Sequence, residues 1–411
     1  MKICGLITEY NPFHNGHVHH MKEAKELTGC DYLIVVMSGN FVQRGTPAII
    51  DKRKRAHMAL EAGADLVLEL PALFSTASAE TFAVSAVNLL TQLGCVDSFC
   101  FGTESGDLTE LRKIAEVLNH EPASFKEDIR SALKSGMNYP AARALALQNY
   151  FAGEIDCLND LLETPNNILG IEYLRALERI GSSMTPYAIR RWKTDYHEWT
   201  TYEDVASATA IRNMLYEEDG IEKVTPFVPS FVLREFAVDI GRCFPVRADD
   251  FSQILQYRLM TECDHLTDYL DFSQEIADRV NNLLPDCYTF KEWSRALKTK
   301  SYTRTRMNRA LMHLILNIRE SDLHAYDDED YCMYAKILGF RKDAQALFSE
   351  ISAHSALPLI SKMADAKNIL SEKAIKLLRF DISSTDIFRN VVYQKYGTLL
   401  KDEFTSKIIK F

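Results

Sequence analysis

An α/β fold, a parallel sheet covered by helices and followed by a mainly helical region, is what this sequence predicts, on three observations. First, five short apolar runs at residues 3–8, 32–37, 66–69, 98–101 and 185–189 lack the alternation of a half-exposed sheet and read as strands buried on both faces. Second, helical periodicity fills the gaps at residues 17–27, 52–62, 79–93 and 165–180, at the spacing βαβ crossovers need. Third, the strand signals fade beyond residue 225, and most later windows are helical, as in Ala310-Leu-Met-His-Leu-Ile-Leu-Asn-Ile318.

The elements follow in order. The run Lys2-Ile-Cys-Gly-Leu-Ile-Thr8 is continuously apolar and leads into a polar turn and a helix. A helical stretch over residues 108–159 interrupts the alternation as an insertion. Val224-Thr-Pro-Phe-Val-Pro229 holds two prolines in six residues and reads as a linker. Two domains are therefore expected, residues 1–225 with the sheet and residues 226–411 mainly helical.

Composition narrows the function. The chain has 411 residues, 47% apolar and 25% charged, enough for two domains with ample core. It shows no apolar run of the ~18 residues a membrane span needs, and no signal peptide is read at its start. Nine scattered cysteines without zinc-ligand spacing suit a reducing compartment, so a cytoplasmic protein with no membrane association is expected. A net charge of −10 argues against a protein that coats nucleic acid indiscriminately.

The chemistry concentrates after the first strand, at Asn11-Pro12-Phe13-His14-Asn15-Gly16-His17. Strand, tight turn and helix N-terminus together make a place for a phosphate, since free N–H groups and the positive dipole end face the anion. Two imidazoles three residues apart can both donate to charge building on an α-phosphate as pyrophosphate leaves, which is what adenylyl transfer requires. Four of the eleven histidines lie between His14 and His20. A metal site of His14, His17 and His20 is a competing reading, but no carboxylate or cysteine is spaced to complete it. A plain solvated helix end is another.

Other segments can join that site. Ser207-Ala-Thr209-Ala-Ile-Arg212 runs into a helix with Ser207 as N-cap, and its hydroxyls and arginine suit the β- and γ-phosphates. Ordinary capping explains it equally. Ile382-Ser-Ser-Thr385 imitates it without the arginine and is set aside as a decoy. Asn167, at a helix start, can read adenine or ribose, with simple capping as the alternative. Arg190 and Arg191 follow the fifth strand. Gln43-Arg44-Gly45 follows the second, and Lys52-Arg-Lys-Arg55 opens a helix whose dipole disfavours cations, which an external polyanion such as RNA, or a solvated turn, would explain. Between Trp293 and Arg319 stand Arg295, Lys298, Lys300, Arg304, Arg306, Arg309 and Arg319 with no Asp or Glu. Such a run is either a solvated helix face or a surface for a polyanion.

With His14-Asn-Gly-His17 after the first strand and Ser207-x-Thr-x-x-Arg212 after the last, the chain resembles the nucleotidyltransferases of the class I synthetase-like superfamily. More closely, it resembles the bacterial tRNA(Met) cytidine acetate ligases. Glu9-Tyr-Asn-Pro-Phe-His-Asn-Gly-His17, Val36-Met-Ser-Gly-Asn-Phe-Val-Gln-Arg-Gly45, Phe101-Gly102, Pro165-Asn-Asn-Ile-Leu-Gly-Ile-Glu-Tyr173, Ala206-Ser-Ala-Thr209 and Leu297-Lys-Thr-Lys-Ser-Tyr-Thr303 carry that resemblance, in order along the chain.

The resemblance implies a Rossmann-like nucleotidyltransferase domain and a probable tRNA-binding helical domain. It implies activation of acetate by ATP to acetyl-adenylate, then transfer to N4 of the wobble cytidine of elongator tRNA(Met). The ATP site it implies comprises Ile7-Thr8-Glu9-Tyr10-Asn11-Pro12-Phe13-His14-Asn15-Gly16-His17-Val18-His19-His20, Gly102, Asn167 and one of Arg190 and Arg191. Arg191-Trp-Lys-Thr-Asp-Tyr-His197 departs from the family's Gly-rich context there, so the sequence leaves that choice open. Together with Ser207, Thr209 and Arg212 these are the expected ATP-binding residues, His14 and His17 the catalytic pair, and Arg295, Lys298, Lys300, Arg304, Arg306 and Arg309 the tRNA contacts. Mg²⁺ is expected with the triphosphate, and no resident metal. A small-molecule adenylyltransferase of the same superfamily is the alternative; it would have no use for the basic stretch. An aminoacyl-tRNA synthetase relative and a catalytically idle RNA-binding protein complete the field.

Overall fold

The strands are β1 (Ile3–Thr8), β2 (Tyr32–Ser38), β3 (Phe41–Val42), β4 (Thr46–Pro47), β5 (Leu66–Leu70), β6 (Ser98–Thr103), β7 (Thr185–Arg190), β8 (Ala335–Phe340), β9 (Leu359–Ile360) and β10 (Ile409–Lys410). They are taken from a computed structural model, which describes residues 1–137, 139–155, 158–191, 206–326 and 331–411. The main sheet runs β10-β8-β5-β2-β1-β6-β7, with β9 on β8. All five expected strands are present and mutually parallel, with Cys4 opposite Leu33 on one side of β1 and Leu6 opposite Cys100 on the other. Chain order reverses across β1, so the loops leaving β1 and β6 diverge and open a crevice at their carboxyl ends.

Local chemistry explains the helices. The first, α1 (Asn15–Thr28), stops at Gly29, whose φ of +59° suits a residue without a side chain, and Gly29 N–H closes on Lys25 O. The second, α2 (Lys52–Glu61), starts at Asp51, whose carboxylate accepts from Arg53 N–H. The helix Ala79–Gln92 lies against β1 because Gly5 is there: a Cβ would stand 2.7 Å from Leu90 Cδ1. The helix Pro165–Ile180 begins on proline and ends at Gly181 with φ +66°. Four helices, Leu108–His120, Ala123–Lys134, Tyr139–Phe151 and Leu158–Glu163, occupy the expected insertion.

Three expectations are corrected. The sheet does not end with the fifth strand: β8 lies antiparallel to β5, with Leu66 opposite Phe340, and carries β9 and β10. A lysine at the second position of Ala335-Lys-Ile-Leu-Gly-Phe340 hid this strand. Lys336 is nonetheless buried, its ammonium 2.8 Å from Glu69 and 3.1 Å from Glu403. The expected linker is docked rather than free: Val224 and Val228 are buried, and Pro226 O accepts from Asn15 Nδ2 at 3.0 Å. The basic tetrad at the start of α2 is neither a free solvated turn nor an open cationic surface, because its charges are paired within the protein or buried. Lys52 is buried, 2.5 Å from Glu69, and also bonds Glu403; Arg53 lies 2.9 Å from Glu403; Lys54 pairs with Glu235 and Asp239 at 2.7 and 3.1 Å. Arg55 turns fully inward.

The decoy Ile382-Ser-Ser-Thr385 lies inside the 25-residue helix Glu372–Tyr396 and serves this same cluster, for Thr385 Oγ1 bonds Glu403 at 2.6 Å and receives Lys52 at 3.0 Å. Asp381 beside it accepts from Ala72 N–H and Tyr334 OH, and burial pushes it up to about 6 although Lys336 and Lys52 pull the other way. The cations around Glu403 hold that carboxyl well below its ordinary range against the cost of burial. Removing one partner of a buried ion pair strands the other, at roughly 3–5 kcal/mol. Glu403→Gln is therefore expected to lower unfolding free energy by about that amount in urea titration. A loss below about 1 kcal/mol would mean the cluster is hydrated.

Candidate active site

The turn after β1 is built into an unusual shape and fixed from several sides. Tyr10 takes φ +47°, and the Asn11–Pro12 peptide is cis. Asn11 Oδ1 accepts from Ile49 N–H at 2.8 Å, and Asn11 O accepts from Arg212 Nη1 at 2.6 Å. From below, Arg55 Nη1 donates to Glu9 O (2.6 Å) and Ser38 O (3.1 Å), Nε donates to Ile50 O (3.1 Å), and Nη2 donates to Gly39 O. That guanidinium ties the turns after β1 and β2 to each other.

The turn delivers two histidines to the start of α1. His14 is the N-cap residue, in extended backbone, and its ring stacks on His17 with centroids 3.7 Å apart and planes at 24°. His17 Nδ1 accepts the His14 backbone N–H at 3.2 Å, which assigns its own hydrogen to Nε2. Tyr10 meets the His17 ring edge-on at 4.7 Å and Phe13 tilts against it at 5.4 Å, so the imidazole is walled by aromatic carbon. His14 is only 3% exposed, yet neither of its ring nitrogens has a hydrogen-bond partner among the described residues; His20 Nε2 is in the same condition. Buried nitrogens left open in this way are unfavourable until something supplies oxygen to them.

All three rings are neutral at ordinary pH. Burial pushes His14 down to about 3 and His20 to about 4, with the Arg191 charge adding to both. His17 is lowered well below its usual value by burial and by its histidine and arginine neighbours. The pair can therefore donate hydrogen bonds without carrying charge, while Arg191 and Arg212 supply the positive field. Neutral donors inside a cationic rim suit an anion that gains charge during reaction.

The remaining candidates assemble around that pair to different degrees. Arg191 continues the β7 ladder through its N–H to Thr103 O, and a Cβ on Gly102 would stand 3.3 Å from Arg191 Cγ. Arg190 instead packs on Gly106. Of the two arginines, it is Arg191 whose charge reaches the histidines. Asn167, 2% exposed, spends its side chain on the fold: Oδ1 accepts from Glu104 and Ser105 N–H, and Nδ2 donates to Thr164 Oγ1. It shapes the loop after β6. Ser207 caps the helix Ala208–Met214 through Ala210 N–H, and Arg212 Nη2 donates to Thr209 Oγ1 at 3.0 Å, so the Ser-x-Thr-x-x-Arg element lies against the turn after β1. Residues Trp192 to His197 of the sequence motif lie outside the described residues.

The basic stretch needs one correction: counter-charges come from outside it. Asp271 lies 3.0 Å from Arg309 and 3.7 Å from Arg306, and Asp268 lies 3.3 Å from Arg319. Arg295, Lys298, Lys300 and Arg304 remain exposed. Sequence reasoning missed Arg55 as a site residue altogether, because a basic residue at a helix start gives no sign that it points inward. Among the described residues no group of three His, Cys, Asp or Glu side chains is arranged to hold a metal ion, and no helix is long and apolar enough to cross a membrane.

Comparison with known proteins places this geometry. The model of the HIGH Nucleotidyl Transferase family matches residues 1–402. A protein of Thermoanaerobacter pseudethanolicus named tRNA(Met) cytidine acetate ligase is 42% identical over 413 residues, covering 100% of both chains. One of the same name from Acetivibrio thermocellus is 38% identical over 422 residues, again covering 100% of both. The crystal structure of Thermotoga maritima TmcAL bound with alpha-thio ATP superposes with a TM-score of 0.91 at 29% identity, covering 100% of this chain and 99% of that one. The apo form superposes at 0.93, also at 29% identity, covering 100% of both chains.

The buried histidines make stability depend on pH. An unfolded chain takes up their protons near the ordinary histidine value of about 6.5, and the folded one does not, so acid favours unfolding between that value and the depressed ones. The melting temperature is expected to fall as pH drops from about 6.5 toward 4, and to fall less steeply in His14→Gln. Parallel slopes in calorimetry would mean that His14 is solvated or charged in the folded protein.

Proposed function

The chain belongs to the HIGH nucleotidyl transferase family, and from that premise we propose that it is a tRNA(Met) cytidine acetate ligase. The observation that carries the chemistry is the stacked His14–His17 pair, with donors left open at the crevice where β1 and β6 diverge. End-to-end similarity to relatives of that name supports taking ATP, acetate and elongator tRNA(Met) as the substrates, out of the wider set that adenylyl transfer allows. A small-molecule adenylyltransferase would leave the exposed Arg295, Lys298, Lys300 and Arg304 without a task.

The reaction has two displacements. An acetate oxygen attacks the α-phosphorus of ATP; the bond to the β-phosphate oxygen breaks, giving acetyl-adenylate and pyrophosphate. His17, with its hydrogen on Nε2, and His14 donate to the non-bridging oxygens as charge accumulates there. Arg191 offsets the repulsion between acetate and the triphosphate. Arg212, bonded to Asn11 O and Thr209 Oγ1, holds the turn in register and lends its charge to the leaving pyrophosphate. Mg²⁺ would accompany the triphosphate and offset its charge. In the second step N4 of the wobble cytidine attacks the acetyl carbonyl carbon, AMP leaves, and N4 loses a proton. The mixed anhydride is so activated that positioning does most of this step.

Incubation with ATP, labelled acetate and total tRNA, followed by nuclease digestion and mass spectrometry, is expected to yield one acetylated cytidine, at the wobble position of tRNA(Met). Pyrophosphate release that depends on a small-molecule phosphate acceptor rather than on acetate, with no label in tRNA, would identify the alternative adenylyltransferase. His17→Ala is expected to cut pyrophosphate release by about 10²-fold or more, the scale of losing one positioned donor, with the melting curve retained. Charge reversal at Lys298 and Arg304 is expected to weaken tRNA binding and to lower the salt slope by roughly two, sparing pyrophosphate release. An unchanged slope would return that stretch to a solvated face.

A further inference from the structure

Arg44 is left over by the reading above. It sits at the tip of the two-stranded β3–β4 hairpin, in which Phe41 pairs with Pro47 and Val42 with Thr46. The hairpin is held on both sides. Toward the nucleotide turn, Gln43 N–H donates to Glu9 Oε1 at 3.0 Å and Gln43 Nε2 donates to Ala77 O at 3.3 Å. Toward the helical region, Gly45, with φ +69°, lies directly on the backbone of the basic helix Arg304–Leu316. A Cβ there would stand 2.3 Å from Arg309 N and 2.5 Å from the Asn308 carbonyl carbon. That helix is itself fixed, since His313 Nε2 lies 3.0 Å from Thr76 O and Arg309 Nε donates to Asp271 at 3.0 Å. The tip therefore spans a rigid path from the turn after β1 to the basic stretch.

The residue on that tip is an exposed arginine with no acidic partner among the described residues. Its charge lies close enough to Arg191 to work against that residue's own protonation. Burial lowers Arg191 and Glu104 raises it, and the Arg44 charge adds to the lowering; an incoming phosphate would relieve that like-charge repulsion. Arg191 faces the histidines. Arg44 is exposed between Gln43, which is tied to Glu9 in the turn after β1, and Gly45, which packs on the basic helix.

We propose that Arg44 is a phosphate contact for the RNA backbone beside the reacting nucleotide, joining the basic helix to the adenylation site. This rests on the proposed acetate ligase reading. ATP offers the same phosphate chemistry, so the test separates the two sources. Arg44→Glu and Arg44→Lys are compared with the wild type in two assays: filter binding of tRNA(Met) over a salt series, and acetate-dependent pyrophosphate exchange without tRNA.

Arg44→Glu is expected to weaken tRNA binding roughly 10-fold and to reduce the salt slope by about one, with Arg44→Lys retaining most of the affinity. The KM for ATP in the exchange assay is expected to stay within about twofold, since Arg44 is assigned no ATP contact. A raised KM for ATP would assign the arginine to the triphosphate and overturn the proposal. So would unchanged tRNA binding with an unchanged slope. Failure of the wild type itself to bind or acetylate tRNA would defeat the acetate ligase reading, and the RNA contact with it.

Discussion

A positive charge surrounded by carbonyl oxygens holds the active end of this molecule together. Arg55 is buried and bonds no carboxylate; its partners are the main-chain oxygens of Glu9, Ser38, Gly39 and Ile50. Burial pulls it down to about 10, still charged at neutral pH. Carbonyl dipoles replace hydration only when several converge, so the guanidinium dictates where three stretches of backbone stand relative to each other. The turn that carries His14 and His17 is one of them. Asn11 and Arg212 then add the constraint from the far side, from a segment about 200 residues later in the chain.

Much of this was legible in the amino-acid order because the signals were local. Five unbroken apolar runs with helical gaps define a parallel sheet, and the His-x-Gly-His turn after the first run lands at the crevice where strand order reverses. Ser207 caps its helix as its residue type suggests. What escaped were properties that depend on partners distant in sequence. Lys336 breaks the apolar run of β8 unless Glu69 and Glu403 are known to meet it. Lys52 and Arg55 look like surface residues until their acceptors, up to 351 positions away, are in place. Asn167 has the right type to bind a nucleotide, but its amide serves the loop after β6. Arg190 and Arg191 are alike in the sequence, and only the contacts at Gly102 and Gly106 show that Arg191 packs on the first and Arg190 on the second.

The division of electrostatic labour follows from that burial. Imidazoles kept neutral by an apolar wall donate hydrogen bonds at fixed positions, whereas the permanent charge stands on arginines at the rim. A charged imidazole would bind the ground-state triphosphate more tightly without favouring the pentacoordinate state. In the proposed reaction, neutral donors at the α-phosphate would strengthen as charge moves there, which is the differential that accelerates a reaction.

Glu403 gives the charge cluster beneath α2 a temporal meaning. It stands eight residues before Phe411 and supplies a carboxylate that Lys52, Arg53 and Lys336 share. Glu69, which Lys52 and Lys336 also share, follows Lys52 by 17 residues, whereas Glu403 follows it by 351. Synthesis therefore delivers the two lysines with one carboxylate between them, and the buried cluster gains its second shared carboxylate only when Glu403 has emerged.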